Sequence, residues 1–467
     1  MVFSSGITRV LDGVRRRRGL VTDTPIPVPP DLPDGGWKRL RTEIDATVET
    51  KGGPVAARRR ARKIGLTYDG LSDTGRRRFL TRLGEEYGTD DAEVDRAMAA
   101  VGDAMAGDER RRAEAELRAR LRPPRETLLR RFAGLDGGLP FLIRMRADAL
   151  PHRRESPAMA AVEQDLRMLL EGWFDVGLLR LERLTWDTPA AFLEKLIEYE
   201  AVHAIESWAD LKHRLGPGRR CYAFVHPAMP DDPLIFVEVA LTKDIARELS
   251  PLLLGDEQTE PVDEADADTA IFYSISNCHA GLAGVSLGDF LIKSVVEELS
   301  DELRGLRAFA TLSPIPGFRR WLEQGLEDGS IALDQPDDDG PADQSVATAD
   351  TAALRALAGG PLPPGDDPQL AVWREPLLRL MARYLLEARH PGGNRAADPV
   401  AHFHLSNGAR VEYLNWRANP GPVGWERGLG MMVNYRYSLR DIERNHDRYL
   451  ETGEVAANDA VRKLLDR

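Results

Sequence analysis

A change of hydrophobic period near Trp186 constrains this chain more than any other feature. Ahead of it, apolar residues recur every three or four positions. Trp37, Leu40, Ile44 and Val48 form one such stripe, and Gly52-Gly53-Pro54 ends it. Ser72 or Asp73 is placed to cap the next helix, whose buried face holds Phe79, Leu80 and Leu83. Residues 109–121 are rich in Ala, Glu and Arg, which favour helix intrinsically, and Pro123-Pro124 stops them. Residues 166–184 read as a further apolar helix. The intervening Arg clusters read as solvated faces paired with nearby Glu and Asp. The pattern predicts a helical bundle over 37–185, preceded by a proline-rich flexible leader over 1–36.

Beyond Trp186 the runs shorten and become aromatic and β-branched. Residues 220–224 and 234–241 read as strands joined by a turn at Pro230-Asp231-Asp232-Pro233. Residues 269–276, 308–312 and 431–437 read as further strands, and 287–303 as a helix. Residues 401–405 and 410–416 flank Ser406-Asn407-Gly408, which predicts two strands around a tight turn. Mixed strands and helices imply an α+β second domain over 186–467. The acidic stretch 255–268 and the Asp-, Gly- and Pro-rich stretch 334–350 are expected to be loops remote from any chemistry.

Several functional classes fall away at once. The net charge of −12 argues against nucleic acid as the main partner, because phosphate neutralisation needs a basic surface. No run approaches the roughly 18 apolar residues of a membrane span. Cys221 and Cys278 are too few for a disulfide framework and suit a reducing compartment, so a cytoplasmic location is expected. The basic run Arg15–Arg18 weakly resembles an organelle transit peptide, but Asp12 interrupts the pattern and a solvated tail is the preferred reading; Leu464-Leu465-Asp466-Arg467 is no peroxisomal signal. The sequence holds no phosphate loop and no HExxH, and the two cysteines lack the spacing of a zinc site.

Four segments combine turn and polar residues in ways that chemistry can use. Gly284-Val285-Ser286-Leu287-Gly288 precedes the helix carrying Lys293. Glycines there would let backbone N–H groups and the helix dipole meet an anion, although a plain turn has the same composition. Thr311-Leu312-Ser313-Pro314-Ile315-Pro316-Gly317 closes a strand on a rigid exit. Its serine could meet a substrate or simply cap the helix that starts near Phe318. In Ala401-His402-Phe403-His404-Leu405 a strand would turn both histidines to one face. They could be a metal pair, although no third ligand is evident, a proton donor or acceptor, or core histidines. Tyr435 and Tyr437 would share a strand face, reaching a pocket or packing in a core.

These segments occur together in an order that resembles the malonyl-CoA decarboxylase family. The matching blocks are Phe272-Tyr273-Ser274-Ile275-Ser276, the stretch from Gly284 to Lys293, Leu312 to Phe318, Phe403 to Gly408, and Asn434-Tyr435-Arg436-Tyr437. His226-Pro227-Ala228-Met229-Pro230 precedes them. The resemblance is good from about 181 to 437 and looser before that. It implies a helical oligomerisation domain followed by an acetyltransferase-like (GNAT-type) α/β catalytic domain. It further implies malonyl-CoA as substrate, acetyl-CoA and CO2 as products, and a homo-oligomer, tetramer or dimer. Neither metal nor organic cofactor is implied. Ser313 and His404 match the family's catalytic serine and histidine, and Tyr437 its active-site tyrosine. Gly284, Ser286, Gly288, Lys293 and Arg319, with Arg320, are the expected coenzyme A contacts. Animal members carry Glu where this chain has Ser286, so a carboxylate role does not transfer. An acyltransferase of the same fold would need an amine acceptor and a base for it. A non-enzymatic scaffold would leave the ordered polar blocks without purpose.

Overall fold

The computed structural model describes residues 24–253, 262–331, 344–364 and 368–465. It divides into two compact units: Met1–Leu179 with His226–Pro230 and His279–Val285, and Arg180–Val225 with Asp231–Cys278 and Ser286–Arg467.

The first unit is helical: α1 (Asp34–Val48), α2 (Gly53–Asp69), α3 (Asp73–Glu86), α4 (Asp91–Asp103), α5 (Asp108–Arg120), α6 (Pro124–Ala133), α7 (Gly138–Ala149) and α8 (Pro157–Trp173). The stripe of α1 is buried through Trp37, Leu40 and Ile44, and the Ser72 hydroxyl caps α3 by accepting from Gly75 N–H at 3.2 Å. Tyr68 meets Phe79 and Phe141 edge to face, with centroids 5.1 and 5.6 Å away, and Phe132 meets Phe141 likewise at 5.0 Å. Such pairs add about 0.5–1.5 kcal/mol each beyond their burial. Two charged pairs sit inside the bundle, Arg125–Asp165 at 2.6 Å and Arg146–Glu163 at 2.8 Å. Each charge is tolerated there because its partner answers it.

Two expectations change in this region. Of the leader predicted over 1–36, residues 1–23 lie outside the described residues. The remainder packs on the helices: Ile26 N–H donates to Thr67 Oγ1 at 2.8 Å, and Leu32 is buried. The apolar helix predicted to run to 184 ends at Trp173, and Arg180–Leu184 is a strand instead. Pairing with a neighbouring strand, Leu181 opposite Phe224, overrides the local helical pattern there.

The second unit is built on an eight-stranded mixed sheet. Its strands are β1 (Arg180–Leu184), β2 (Arg219–His226), β3 (Met229–Thr242), β4 (Thr269–Asn277), β5 (Ala308–Thr311), β6 (Ser313–Pro314), β7 (Arg410–Asn415) and β8 (Met432–Tyr437). The order is β1-β2-β3-β4-β5-β8-β6, with β7 also paired to β8. Helices α9 (Ala190–Tyr199) and α10 (Trp208–Arg214) bury Phe192, Leu196 and Leu211 against Cys221, Ala223 and Phe236. Strands β4 and β5 are parallel, so a crossover must join them, and α11 (Gly288–Glu302) supplies it. Then follow α12 (Phe318–Asp328), α13 (Gln344–Gly359), α14 (Pro368–Leu386), α15 (Pro399–Ser406), α16 (Pro422–Gly428) and α17 (Ile442–Thr452).

Here too the sequence misleads in places. The chain reverses at Pro227-Ala228, between β2 and β3, rather than at Pro230–Pro233, which lie within β3. Part of 255–268 lies outside the described residues, as does 332–343, but α13 begins at Gln344 inside the stretch expected to be a loop. The predicted strand 401–405 is helix α15. The Asp398 carboxylate caps it by accepting from the N–H groups of Val400 and Ala401, and Pro399 takes the first turn. Gly408 follows its C-terminus at φ +77°, where an added Cβ would meet Ile442 O at 2.1 Å. The Ser-Asn-Gly turn signal therefore marks a helix exit rather than a hairpin.

Among the described residues, no helix is long and apolar enough to cross a membrane.

Candidate active site

Strands β4 and β5 run together only from Thr269 opposite Ala308 to Phe272 opposite Thr311. Past that point β4 continues to Asn277, while the chain steps through Leu312 into β6 and pairs with β8, Ser313 opposite Val433. Ser313 thus stands where two parallel strands part. Pro314 and Pro316 follow and stiffen the exit.

The Ser313 hydroxyl donates to Thr311 Oγ1 at 2.8 Å and lies 3.0 Å from His404 Nε2. The other ring nitrogen, His404 Nδ1, lies 2.7 Å from the Tyr437 hydroxyl. Thr311 Oγ1 also accepts from the Tyr435 N–H at 3.2 Å, so strand β8 holds the hydroxyl pair from beneath. The imidazole stacks on Tyr435 with centroids 4.6 Å apart and meets Tyr437 edge-on at 6.1 Å. All five side chains are buried. The structure therefore gathers Ser313, His404 and Tyr437, three segments far apart in the chain. It also puts Tyr435 and Tyr437 on one face, around the histidine.

Helix geometry separates the two histidines, which a strand would have aligned. His402 turns to the Tyr449 hydroxyl at 2.8 Å, away from Ser313. Among the described residues no group of three His, Cys, Asp or Glu is placed to hold a metal ion.

Burial pushes the His404 pKa down to about 3, against an ordinary value of about 6.5. The ring is neutral at every physiological pH, with one N–H and one lone pair shared between Ser313 and Tyr437. A depressed folded-state pKa means that the unfolded chain binds the extra proton first. Its contribution to stability is full above about pH 6.5 and is lost as pH falls towards about 3. We expect the His404 ring resonances to report a neutral imidazole at pH 5. An imidazolium spectrum at pH 6 in folded protein would contradict this.

The expected coenzyme A contacts fare differently. Gly284 lies in the first unit at φ +78°, a turn position that suits glycine. Ser286 is exposed and does not cap α11, whose N-cap is Leu287 with no side-chain bond. Gly288 opens α11, and a Cβ there would fall 2.6 Å from the ring of Phe403, beside His404. This glycine thus has a packing reason beyond any anion. Lys293 is half-buried on α11. Arg319 is occupied by Glu323 at 2.9 Å and the Gly360 carbonyl at 3.0 Å. For Gly288→Ala we expect a loss of about 1–3 kcal/mol in stability by urea unfolding, because Phe403 must move. Unchanged stability would show that α15 yields freely.

Sequence reasoning missed Thr311 and Asp398. Thr311 was visible as a hydroxyl two residues before Ser313, which in an extended chain places both on one face. Asp398-Pro399 was legible as a helix start, but period-two reading of the histidines masked it.

A buried hydroxyl–imidazole–phenol chain at a strand divergence, in a chain that also carries a helical unit, marks an α+β protein with a candidate acid–base site. Models of the malonyl-CoA decarboxylase C-terminal and N-terminal domains match residues 177–467 and 87–174. The chain belongs to the malonyl-CoA decarboxylase family. A mitochondrial malonyl-CoA decarboxylase of Anser anser anser is 37% identical over 428 residues, covering 89% of this chain and 84% of that protein. The crystal structure of malonyl-CoA decarboxylase from Rhodopseudomonas palustris is 42% identical with a TM-score of 0.79, covering 91% of this chain and 99% of that one. That from Agrobacterium vitis is 38% identical with a TM-score of 0.82, covering 92% and 100%.

Proposed function

We propose that this chain removes CO2 from malonyl-CoA to leave acetyl-CoA, with Ser313, His404 and Tyr437 carrying the chemistry. The observation that supports this most is the continuous contact from Ser313 through His404 to Tyr437, at 3.0 and 2.7 Å. The bond between the carboxylate carbon and the α-carbon breaks, and its electron pair passes into the thioester to give an enolate. The thioester is the electron sink, so neither metal nor organic cofactor is needed in this reading.

Ser313 and the His404 Nε2 edge bind the malonyl carboxylate. A neutral ring suits this task better than an imidazolium, which would hold the ground-state charge more tightly than the transition state that loses it. Backbone N–H groups at the strand end stabilise the enolate oxygen. The α-carbon then takes a proton from Nε2–H while the Tyr437 hydroxyl passes its own to Nδ1. The ring stays neutral, and one proton from solvent, taken up at Nε2 as Nδ1–H returns its own to the Tyr437 phenolate, restores the starting state. The edge of β4 past Phe272, where β5 no longer pairs with it, also suits the amides of the coenzyme A arm, which can pair as an added strand does.

The same reading places the enzyme as a homo-oligomer in the cytoplasm, with the free, buried Cys221 and Cys278 consistent with a reducing compartment.

The test is product analysis of purified protein with malonyl-CoA alone and a chelator present. Acetyl-CoA and CO2 in equal amounts are expected. No turnover despite coenzyme A binding would move the assignment to an acyltransferase with a separate acceptor.

A further inference from the structure

We infer that Asp398 is a positioning residue that sets the distance between Ser313 and His404, an inference that rests on the proposed roles of those two side chains. Its carboxylate is 1% exposed and touches two segments that lie 81 residues apart. Oδ1 accepts from the N–H groups of Val400 and Ala401 at 2.9 and 3.0 Å, fixing the first turn of α15. Oδ2 accepts from Gly317 N–H at 3.1 Å, and the Tyr384 hydroxyl donates to it at 3.5 Å.

Both ends of this bridge lie one stiff step from the reacting atoms. On one side, Gly317 is joined to Ser313 through Pro314-Ile315-Pro316. On the other, Ala401 is one helical turn from His404. The 3.0 Å contact between Ser313 and His404 is therefore closed by a second contact on the far side of each segment. Neither segment can rotate without breaking a bond to the same carboxylate.

The surroundings are shaped around this bridge. A Cβ at Gly317 would stand 2.2 Å from the Tyr384 hydroxyl and 3.4 Å from Asp398 Oδ2, so only glycine brings its N–H this close. Tyr384 is itself held between Phe318 and Trp321 at 5.7 and 5.0 Å. Burial raises the carboxyl pKa while the three N–H bonds lower it, and no cation faces it among the described ion pairs. Three backbone donors and the Tyr384 hydroxyl answer the group. Capping by itself does not require this arrangement, since serine or threonine caps a helix as well. Only an acceptor with two oxygens satisfies donors on both sides at once.

That distinction supplies the test. Asp398→Ser keeps a cap for α15 but cannot also reach Gly317, and Asp398→Asn keeps the shape but turns an amide towards donors. Both are expected to lower kcat about 10- to 100-fold, the cost of misplacing catalytic groups by about 1 Å, with KM little changed. On a His404→Gln background, Asp398→Ser should cost nothing further, because its effect passes through the pair. Asp398→Ser with parental kcat, measured below its melting temperature, would reduce Asp398 to a cap and overturn the inference. An equal loss with and without His404 would overturn it as well. Full turnover by His404→Gln alone would instead remove the reading beneath it.

Discussion

His404→Gln is expected to lower kcat by about 100- to 10,000-fold, the span that general acid–base catalysis contributes. Glutamine fills much of the same volume and can place an amide near Ser313 Oγ. It cannot pass a proton from one end to the other, as imidazole does between Nδ1 and Nε2. The loss should therefore fall on kcat, with KM changed much less, because carboxylate binding survives in part. Stopped-time assays of acetyl-CoA formation under saturating malonyl-CoA measure it directly. Thermal unfolding checks that the buried site, stacked on Tyr435 at 4.6 Å, still packs. A folded variant within threefold of the parent rate would remove His404 from the chemistry.

Ser313→Ala should cost about 100- to 1,000-fold in kcat, comparable to removing one essential transition-state donor. His404 Nε2, at 3.0 Å, loses its partner by this change, and Thr311 Oγ1, at 2.8 Å, loses one of its two donors. A buried polar group left without its partner costs about 1–3 kcal/mol, so stability should fall too. The two effects are separable by comparing initial rates at low temperature with the unfolding midpoint. A variant that melts earlier yet turns over normally would make Ser313 a structural hydroxyl only.

Much of the fold was open to reading from local pattern. The stripe Trp37, Leu40, Ile44 and the Ser72 cap lie where three-to-four spacing and capping chemistry place them. The runs at 234–241 and 269–276 fall inside β3 and β4 because β-branched and aromatic residues fit a pleated, buried surface. Local pattern failed where two periods compete. Ala401-His402-Phe403-His404-Leu405 alternates like a strand, yet Asp398, Pro399 and Gly408 bracket it as a helix. Arg180–Leu184 follows an apolar helix and looked like its continuation, until pairing with β2 claimed it.

The site divides along the same line. The sequence by itself determined which side chains were available: a serine locked before two prolines, a histidine inside an Asn-Gly-terminated block, and paired tyrosines. It also determined the family, because ordered blocks carry more information than any single motif. Only the tertiary structure decided that His404 rather than His402 meets Ser313, since the two are separated by the turn of a helix and not by the pleat of a strand. It alone brought in Thr311 and Asp398, and it alone set the ring neutral. Those properties arise from desolvation and from contacts between segments up to 124 residues apart. Such contacts exist only once the sheet has closed around them, and no local pattern encodes them.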